Sequence, residues 1–269
     1  MDIRNKGLYL GLVSLTIISL PATSHAVSVS SDQRQLSING EVSSYNHRNN
    51  WHQQAFVNSN QAIFNEALEH TAQLNTNTVS TNATIQSSVT SANNQTIFSG
   101  NGRAYSHLAY QPETNPRFRS QRANSFSEFE ITFTLTEAAN FDLIGSLFYD
   151  QATLGNPYGG AVFSLTRSHY NAPGFSLQLG NANSRSDFNQ AIQLSGVLDP
   201  GNYRLEVYAR SNASTYGYGA NTLTASAGYD FSFTLNQSLQ NTPQVPVPAA
   251  AWLFGSAILG LFGMQRYKK

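Results

Sequence analysis

From Ser125 onward, large apolar and polar side chains alternate along the chain. Phe129, Ile131, Phe133 and Leu135 interleave with Glu128, Glu130, Thr132 and Thr134. A period of two puts the first set on one face of a strand and the second on the other. A turn around Ala139-Asn140 separates this strand from Phe141-x-Leu143 and Leu147-x-Tyr149. Val162 to Thr166, Phe175-x-Leu177-x-Leu179 and Ile192-x-Leu194 predict further strands. Asp199-Pro200-Gly201-Asn202 predicts a tight turn, because proline presets φ and glycine accepts positive φ. Beyond it, Tyr203, Leu205 and Val207 alternate with polar neighbours, as do Tyr229, Phe231, Phe233 and Leu235. Six or seven short strands with Gly-, Pro- and Asn-rich connections, and no intervening helical pattern, predict a mainly β protein. Its expected architecture is an antiparallel β-sandwich or jelly roll over residues 125–236.

Residues 27–124 are polar, rich in Asn, Ser and Thr, and show a weaker pattern. Within 60–74, Phe64, Ala67 and Leu68 stand at helical spacing beside Glu66 and Glu69, which predicts a short helix there. Asn75 to Ser99 has weak alternation at Val79, Ile85, Val89 and Ile97, predicting exposed strands with long loops, with disorder of part of the stretch as the alternative. Gly100-Asn101-Gly102 predicts a turn, and Gln111 to Asn124, with Pro112 and Pro116, a loop. The preferred arrangement is one β domain in which this first part extends the same sheets.

The two ends have a different character. In residues 1–26, Arg4 and Lys6 precede a 13-residue apolar run from Leu8 to Leu20, broken by Pro21. Ser24 and Ala26 then place small residues where a signal peptidase reads, so the segment predicts a signal peptide cleaved after Ala26. After a linker over 237–248, Ala249 to Met264 runs 16 residues without a charge, and 265–269 form a basic tail. As a helix at about 1.5 Å per residue, that run covers about 24 Å, short of a hydrocarbon core of about 30 Å. It suits a temporary transmembrane stop with its basic end in the cytoplasm.

Val245-Pro246-Val247-Pro248-Ala249, the span through Trp252, Leu253, Phe254, Gly255 and Gly260, and the basic Arg266, Lys268 and Lys269 occur in the order of a known sorting signal. These residues resemble the PEP-CTERM anchor, in its VPLPA-like variant. Val247 stands where the commoner form has Glu. The resemblance is confined to residues 245–269, with a looser similarity of layout in the body. It implies an exosortase partner in a Gram-negative bacterium, a brief stay in the inner membrane, and a final place at the cell surface or outside. An ordinary C-terminal membrane anchor is the plainer reading of the same residues.

Charge narrows the functions further. Of 15 basic and 15 acidic residues, Arg4, Lys6, Arg266, Lys268, Lys269 and Asp2 lie in the ends, leaving the body 10 and 14 and a formal charge near −4. The body has no lysine, which argues against nucleic acid as a partner. With no cysteine, thiol catalysis, cysteine-ligated metal and disulfides are excluded.

Candidate chemistry in the body is sparse. His47 and His52 flank Trp51 and His70 follows Glu69, spacings that do not match zinc sites, so no metal or cofactor is expected. No nucleophile elbow, Walker loop or dinucleotide fingerprint occurs, and no catalytic residue is assigned. Glu128 and Glu130 share one strand face, as paired glycosidase carboxylates do, but a solvated face with ordinary pKa values is the simpler expectation. Tyr216 and Tyr218, and the rings of Tyr149 and Tyr158, are expected in loops; the first pair are candidates for stacking on sugar faces. The expected function is a non-enzymatic, exosortase-sorted surface or matrix protein associated with exopolysaccharide and biofilm. The alternative is a carbohydrate-binding module that uses loop aromatics.

Overall fold

The structure is a computed structural model that describes residues 27–43, 48–58, 63–92, 94–110, 120–152, 157–168, 174–216 and 221–237. The expected signal peptide, Pro-x-Pro linker, transmembrane segment and basic tail lie outside the described residues. Twelve strands follow in chain order: β1 (Val27–Ser43), β2 (Arg48–Asn58), β3 (Ile63–Leu74), β4 (Asn77–Ala92), β5 (Gln95–Tyr110), β6 (Ser120–Leu135), β7 (Ala139–Ala152), β8 (Tyr158–Ser168), β9 (Ser176–Ser184), β10 (Phe188–Leu198), β11 (Gly201–Tyr216) and β12 (Asn221–Gln237). A front sheet runs β2-β1-β6-β11-β8-β9 and a back sheet β10-β7-β12-β5-β4-β3. Every pairing is antiparallel, and the sheets stack as a β-sandwich.

The alternation read in β6, β11 and β12 specifies the inner layer. Phe129, Ile131 and Phe133 of β6, Tyr203, Leu205 and Val207 of β11, and Phe231 and Phe233 of β12 are buried between the sheets. Their rings interlock: Phe133 lies 5.2 Å from Phe98 and 5.4 Å from Tyr203, and Phe129 5.3 Å from Phe231. Burying each large side chain contributes roughly 1.5–3 kcal/mol. The other half, the narrow half, begins with a layer of small inward residues and continues into a second apolar cluster around Val42, Val79, Leu108 and Leu223. Ala123, Ser125 and Ser127 of β6, Ala104 and Ser106 of β5, and Ala225 and Ala227 of β12 make up that layer of small inward residues. Hydroxyls bridge the sheets there, Ser106 Oγ to Ser211 Oγ at 2.8 Å and Ser127 Oγ donating to Thr84 O at 2.8 Å.

The first part of the body is as regular as the second. β1 lies between β2 and β6, and β5 between β4 and β12, so strands from both parts share both sheets; residue 125 falls inside β6. The helix expected over 60–74 is instead β3, an edge strand paired to β4 from Leu74↔Asn77 to Ile63↔Ser88. Among the described residues there is no helix. The long loops expected between Asn75 and Ser99 are two tight hairpins. Asn75 (φ 56°) and Asn94 (φ 62°) take the left-handed conformation that such turns need. Gly100-Asn101-Gly102 is not a turn but the middle of β5. Gly102 is required by crowding, since a Cβ there would come within 2.4 Å of Ser127 Oγ and of Tyr229 Cζ. The turn expected at Ala139-Asn140 falls earlier, before β7 begins at Ala139, and β6 starts at Ser120, inside the expected loop. The Asp199-Pro200 turn is where the sequence places it, between β10 and β11.

Candidate functional site

Strand pairing on the front sheet gathers polar and aromatic side chains that are far apart in sequence. The outward positions of β6 are Asn124, Phe126, Glu128 and Glu130, and register fixes their neighbours. Asn124 sits between Asn39 of β1 and Asn212 of β11, and Asn212 is opposite Tyr158 of β8. Phe126 sits between Ser37 and Arg210. Glu128 sits between Gln35 and Tyr208, and Glu130 between Gln33 and Glu206. The front face therefore passes, row by row, from neutral amides to rings to carboxylates.

At the amide end the three asparagines form a chain. Asn124 Nδ2 donates to Asn39 Oδ1 at 2.7 Å, and Asn212 Nδ2 donates to Asn124 Oδ1. Asn212 Oδ1 has no hydrogen-bond partner among the described residues. Around this row lies an open depression of about 170 Å³, lined by Asn39, Asn124, Asn212, Phe126, Tyr158 and Arg210. Arg210 holds its guanidinium 5.9 Å from the Tyr158 ring while its Nε donates to Ala182 O at 2.8 Å. Phe126 and Tyr208 pack with centroids 5.9 Å apart. Phe56 of β2, opposite Gln35, adds a ring that is 51% exposed. Enclosed small-molecule pockets hold roughly 300–1,000 Å³. The smaller depression suits one unit of an extended chain lying across the face.

At the charged end Arg204 organises the carboxylates. Its Nε and Nη2 donate to Glu130 Oε1 and Oε2 at 2.7 and 2.9 Å, and Nη2 lies 3.2 Å from Glu206 Oε2. The bond to Glu130 also pushes the Arg204 pKa up. Glu128 is not the ordinary solvated carboxylate that the sequence suggests. Burial, then the like charges of Glu206 and Glu130, push its pKa up to about 7; a hydrogen bond with Glu206 adds to the rise and Arg204 opposes it. Burial raises Tyr208 as well.

The other sequence candidates disperse. His52 is exposed on β2, and His70 packs against Trp51 with ring centroids 4.8 Å apart; His47 lies outside the described residues. Among the described residues no cluster of His, Asp or Glu is arranged to hold a metal. Tyr149 is not a loop ring but a buried core residue of β7, and Tyr158 opens β8 on the front face. Tyr216 ends β11, and its side chain, like all of Tyr218, lies outside the described residues. So do Ser24, Ala26 and the sorting residues from Val245 to Lys269. Sequence reasoning missed Asn39, Asn124, Phe126, Arg210 and Asn212. The available signal was the alternation Asn124-x-Phe126-x-Glu128 and Tyr208-x-Arg210-x-Asn212, which carries the two outward faces past the limits of the apolar pattern.

No protein-family model matches the chain, and the search of curated proteins found no match. Among solved structures, the module TmCBM61 in complex with β-1,4-galactotriose is 14% identical, with 44% of this chain and 84% of that one covered and a TM-score of 0.18. The enzymatically active domain of tailspike protein 4 of bacteriophage CBA120 is 12% identical, with 49% and 19% covered and a TM-score of 0.21. The structure of the Gt strain of infectious bursal disease virus is 11% identical, with 80% and 74% covered and a TM-score of 0.21. TM-scores this low carry no inference, so what the front face can bind is taken from its own residues.

Proposed function

We propose that this is an exported, non-enzymatic surface or extracellular-matrix protein whose sandwich holds a neutral polysaccharide across its front face. The observation that carries the reading is the Asn39–Asn124–Asn212 row beside Phe126 and Tyr158. Carboxamides present donors and acceptors together, as sugar hydroxyls do. Aromatic rings cover the apolar faces of sugars while tolerating water at their edges. A lysine-free body with a formal charge near −4 favours a neutral chain over a polyanion. Hydrolysis by Glu128 and Glu130 is disfavoured, because Arg204 already occupies both oxygens of Glu130.

The ends supply the route in this reading. Residues 1–26 direct export, and the motif at 245–269 hands the chain to exosortase at the inner membrane, which releases the body to the cell surface of a Gram-negative host. Exopolysaccharide there is the expected partner, and biofilm matrix the expected setting. Affinity electrophoresis in gels containing neutral polysaccharides, the host's own included, tests the binding. Asn124→Ala and Phe126→Ala should each weaken it about tenfold, the effect of roughly 1.4 kcal/mol. No retardation in any gel, or variants retarded like the parent, sinks the reading. Deleting exosortase should leave full-length protein with its tail intact; a tail still removed would refute the sorting assignment.

A further inference from the structure

The two ends of the sandwich are finished differently. At the β2/β3 end, Trp51 lies across Gly40, where a Cβ would come within 2.1 Å of the ring. Its indole N–H reaches Thr81 Oγ1 at 3.4 Å and its ring packs on His70. The edge strand β3 also carries exposed Glu66 and Glu69, charges of the kind that discourage a free edge from pairing. That end is plugged and guarded.

Among the described residues, the β9/β10 end has neither device. β9 pairs with β8, β10 pairs with β7, and neither has a second strand neighbour among the described residues. SLQLGNANS and FNQAIQLSGVL contain no charged residue and no proline; Arg185 and Asp187 are confined to the connection between them. Inward side chains that are buried elsewhere in the sandwich are left partly open here. Leu177 and Leu179 of β9 and Phe188 of β10 are half-buried, and Leu194 is 38% exposed. The result, among the described residues, is an apolar seam between two strand edges free of charge and proline, although β9 carries a bulge near Gly180, whose N–H donates to Gln190 Oε1 at 3.0 Å.

We propose that the chain forms a twofold dimer through this end, β9 pairing antiparallel with β9 of a second copy and β10 with β10. An edge strand presents backbone N–H and C=O groups that only another strand satisfies along its length. A single peptide would satisfy one edge and leave the other open. A second copy meets both, because a twofold axis perpendicular to the sheets lays each edge against its own copy running the opposite way. The same operation buries Leu177, Leu179 and Leu194 against their own counterparts and joins the two cores. A head-to-tail contact would set the apolar seam against the plugged end with Glu66 and Glu69, so it is the poorer fit. The dimer does not depend on the glycan site, which lies on the front face.

Sedimentation velocity of the full-length protein across a concentration series tests the assembly. A species of twice the monomer mass is expected. Leu194→Lys should convert it to monomer with an unchanged far-UV circular dichroism spectrum. Val197→Lys, at a site 61% exposed on the same strand, covers the case in which the first variant misfolds. The chain has no cysteine, so single cysteines report contacts cleanly: on oxidation at least one of Ala191→Cys, Gln193→Cys and Ser195→Cys should cross-link to its copy, and Asn50→Cys on β2 should not. Monomer at every concentration overturns the proposal. So does a dimer that persists in both lysine variants, cross-linking through Asn50→Cys alone, or open-ended growth into larger oligomers.

Discussion

Glu128→Gln isolates a carboxyl that the front sheet keeps protonated close to neutrality. The side chain stands between Gln35 and Tyr208, one row from the Glu130–Arg204–Glu206 network. Its pKa rises from an ordinary 4.5 to about 7, first through burial and then through Glu206 and Glu130. A carboxyl whose folded pKa is raised binds, between pH 4.5 and 7, a proton that the unfolded chain has released. Its contribution to stability is therefore present below pH 4.5 and is lost as pH rises toward 7, with no further change above. The full shift corresponds to about 3 kcal/mol, but the group is half-buried and water screens it, so about 1–2 kcal/mol is expected. Glutamine keeps an N–H donor toward Glu206 and cannot ionise. Urea unfolding should show the variant level with the parent at pH 4 and more stable by about 1–2 kcal/mol at pH 8. A constant offset between the two across that range would refute the assignment of the proton to Glu128.

Two further substitutions probe the core. Phe133 is fully buried and stacks on Phe98 and Tyr203; Phe133→Ala should cost about 3–5 kcal/mol in thermal or urea unfolding, and a loss under 1 kcal/mol would mean that the inner layer is not packed as described. Arg34, 1% exposed, donates to Asp32 at 2.9 and 2.5 Å and lies between the rings of Phe64 and Phe129. Burial raises the Asp32 pKa against the pull of Arg34. Asp32→Ala leaves a buried guanidinium without its carboxylate and should cost about 3–5 kcal/mol, most of it recovered by adding Arg34→Met. A double variant no more stable than the single would contradict that account.

How much was legible depended on what the inner positions contain. In β6, β11 and β12 they are Phe, Tyr, Ile and Leu, so period two stands out and predicts strands correctly. Elsewhere along the same and neighbouring strands the inner positions are Ser and Ala, such as Ser106, Ser125, Ser127 and Ala225, and there the contrast of large apolar against polar residues disappears. β3 was misread because Ala, Leu, Glu and Gln favour helices intrinsically, a preference overridden by the twelve-residue pairing with β4. Its inward set of Phe64, Leu68, His70 and Ala72 is broken by exposed Glu66, which is tolerable only at an edge. The site escaped for another reason. Asn39, Asn124 and Asn212 meet through register alone, which local sequence does not encode, and rings were sought in loops when those on the front face stand on strands.

Register itself is secured differently in the two halves. In the wide half a slip of one residue would turn Phe129, Ile131 and Phe133 outward and bring Glu128 and Glu130 into the core, so burial forbids it. Along Ala123–Ser127 of β6 the same slip exchanges Ser and Ala for Asn and Phe, a far weaker contrast. Directional bonds take over there: Ser106 to Ser211, Ser127 to Thr84, and the amide chain from Asn39 through Asn124 to Asn212. The row proposed to meet a glycan thus also aligns three strands. Each of its hydrogen bonds contributes about 1 kcal/mol to that alignment, small against what Phe133 supplies at the far end of β6. An alanine at Asn124 should therefore leave β6 folded and in register through its aromatic half, so that loss of polysaccharide binding in the variant reports on the front face and not on the sandwich beneath it.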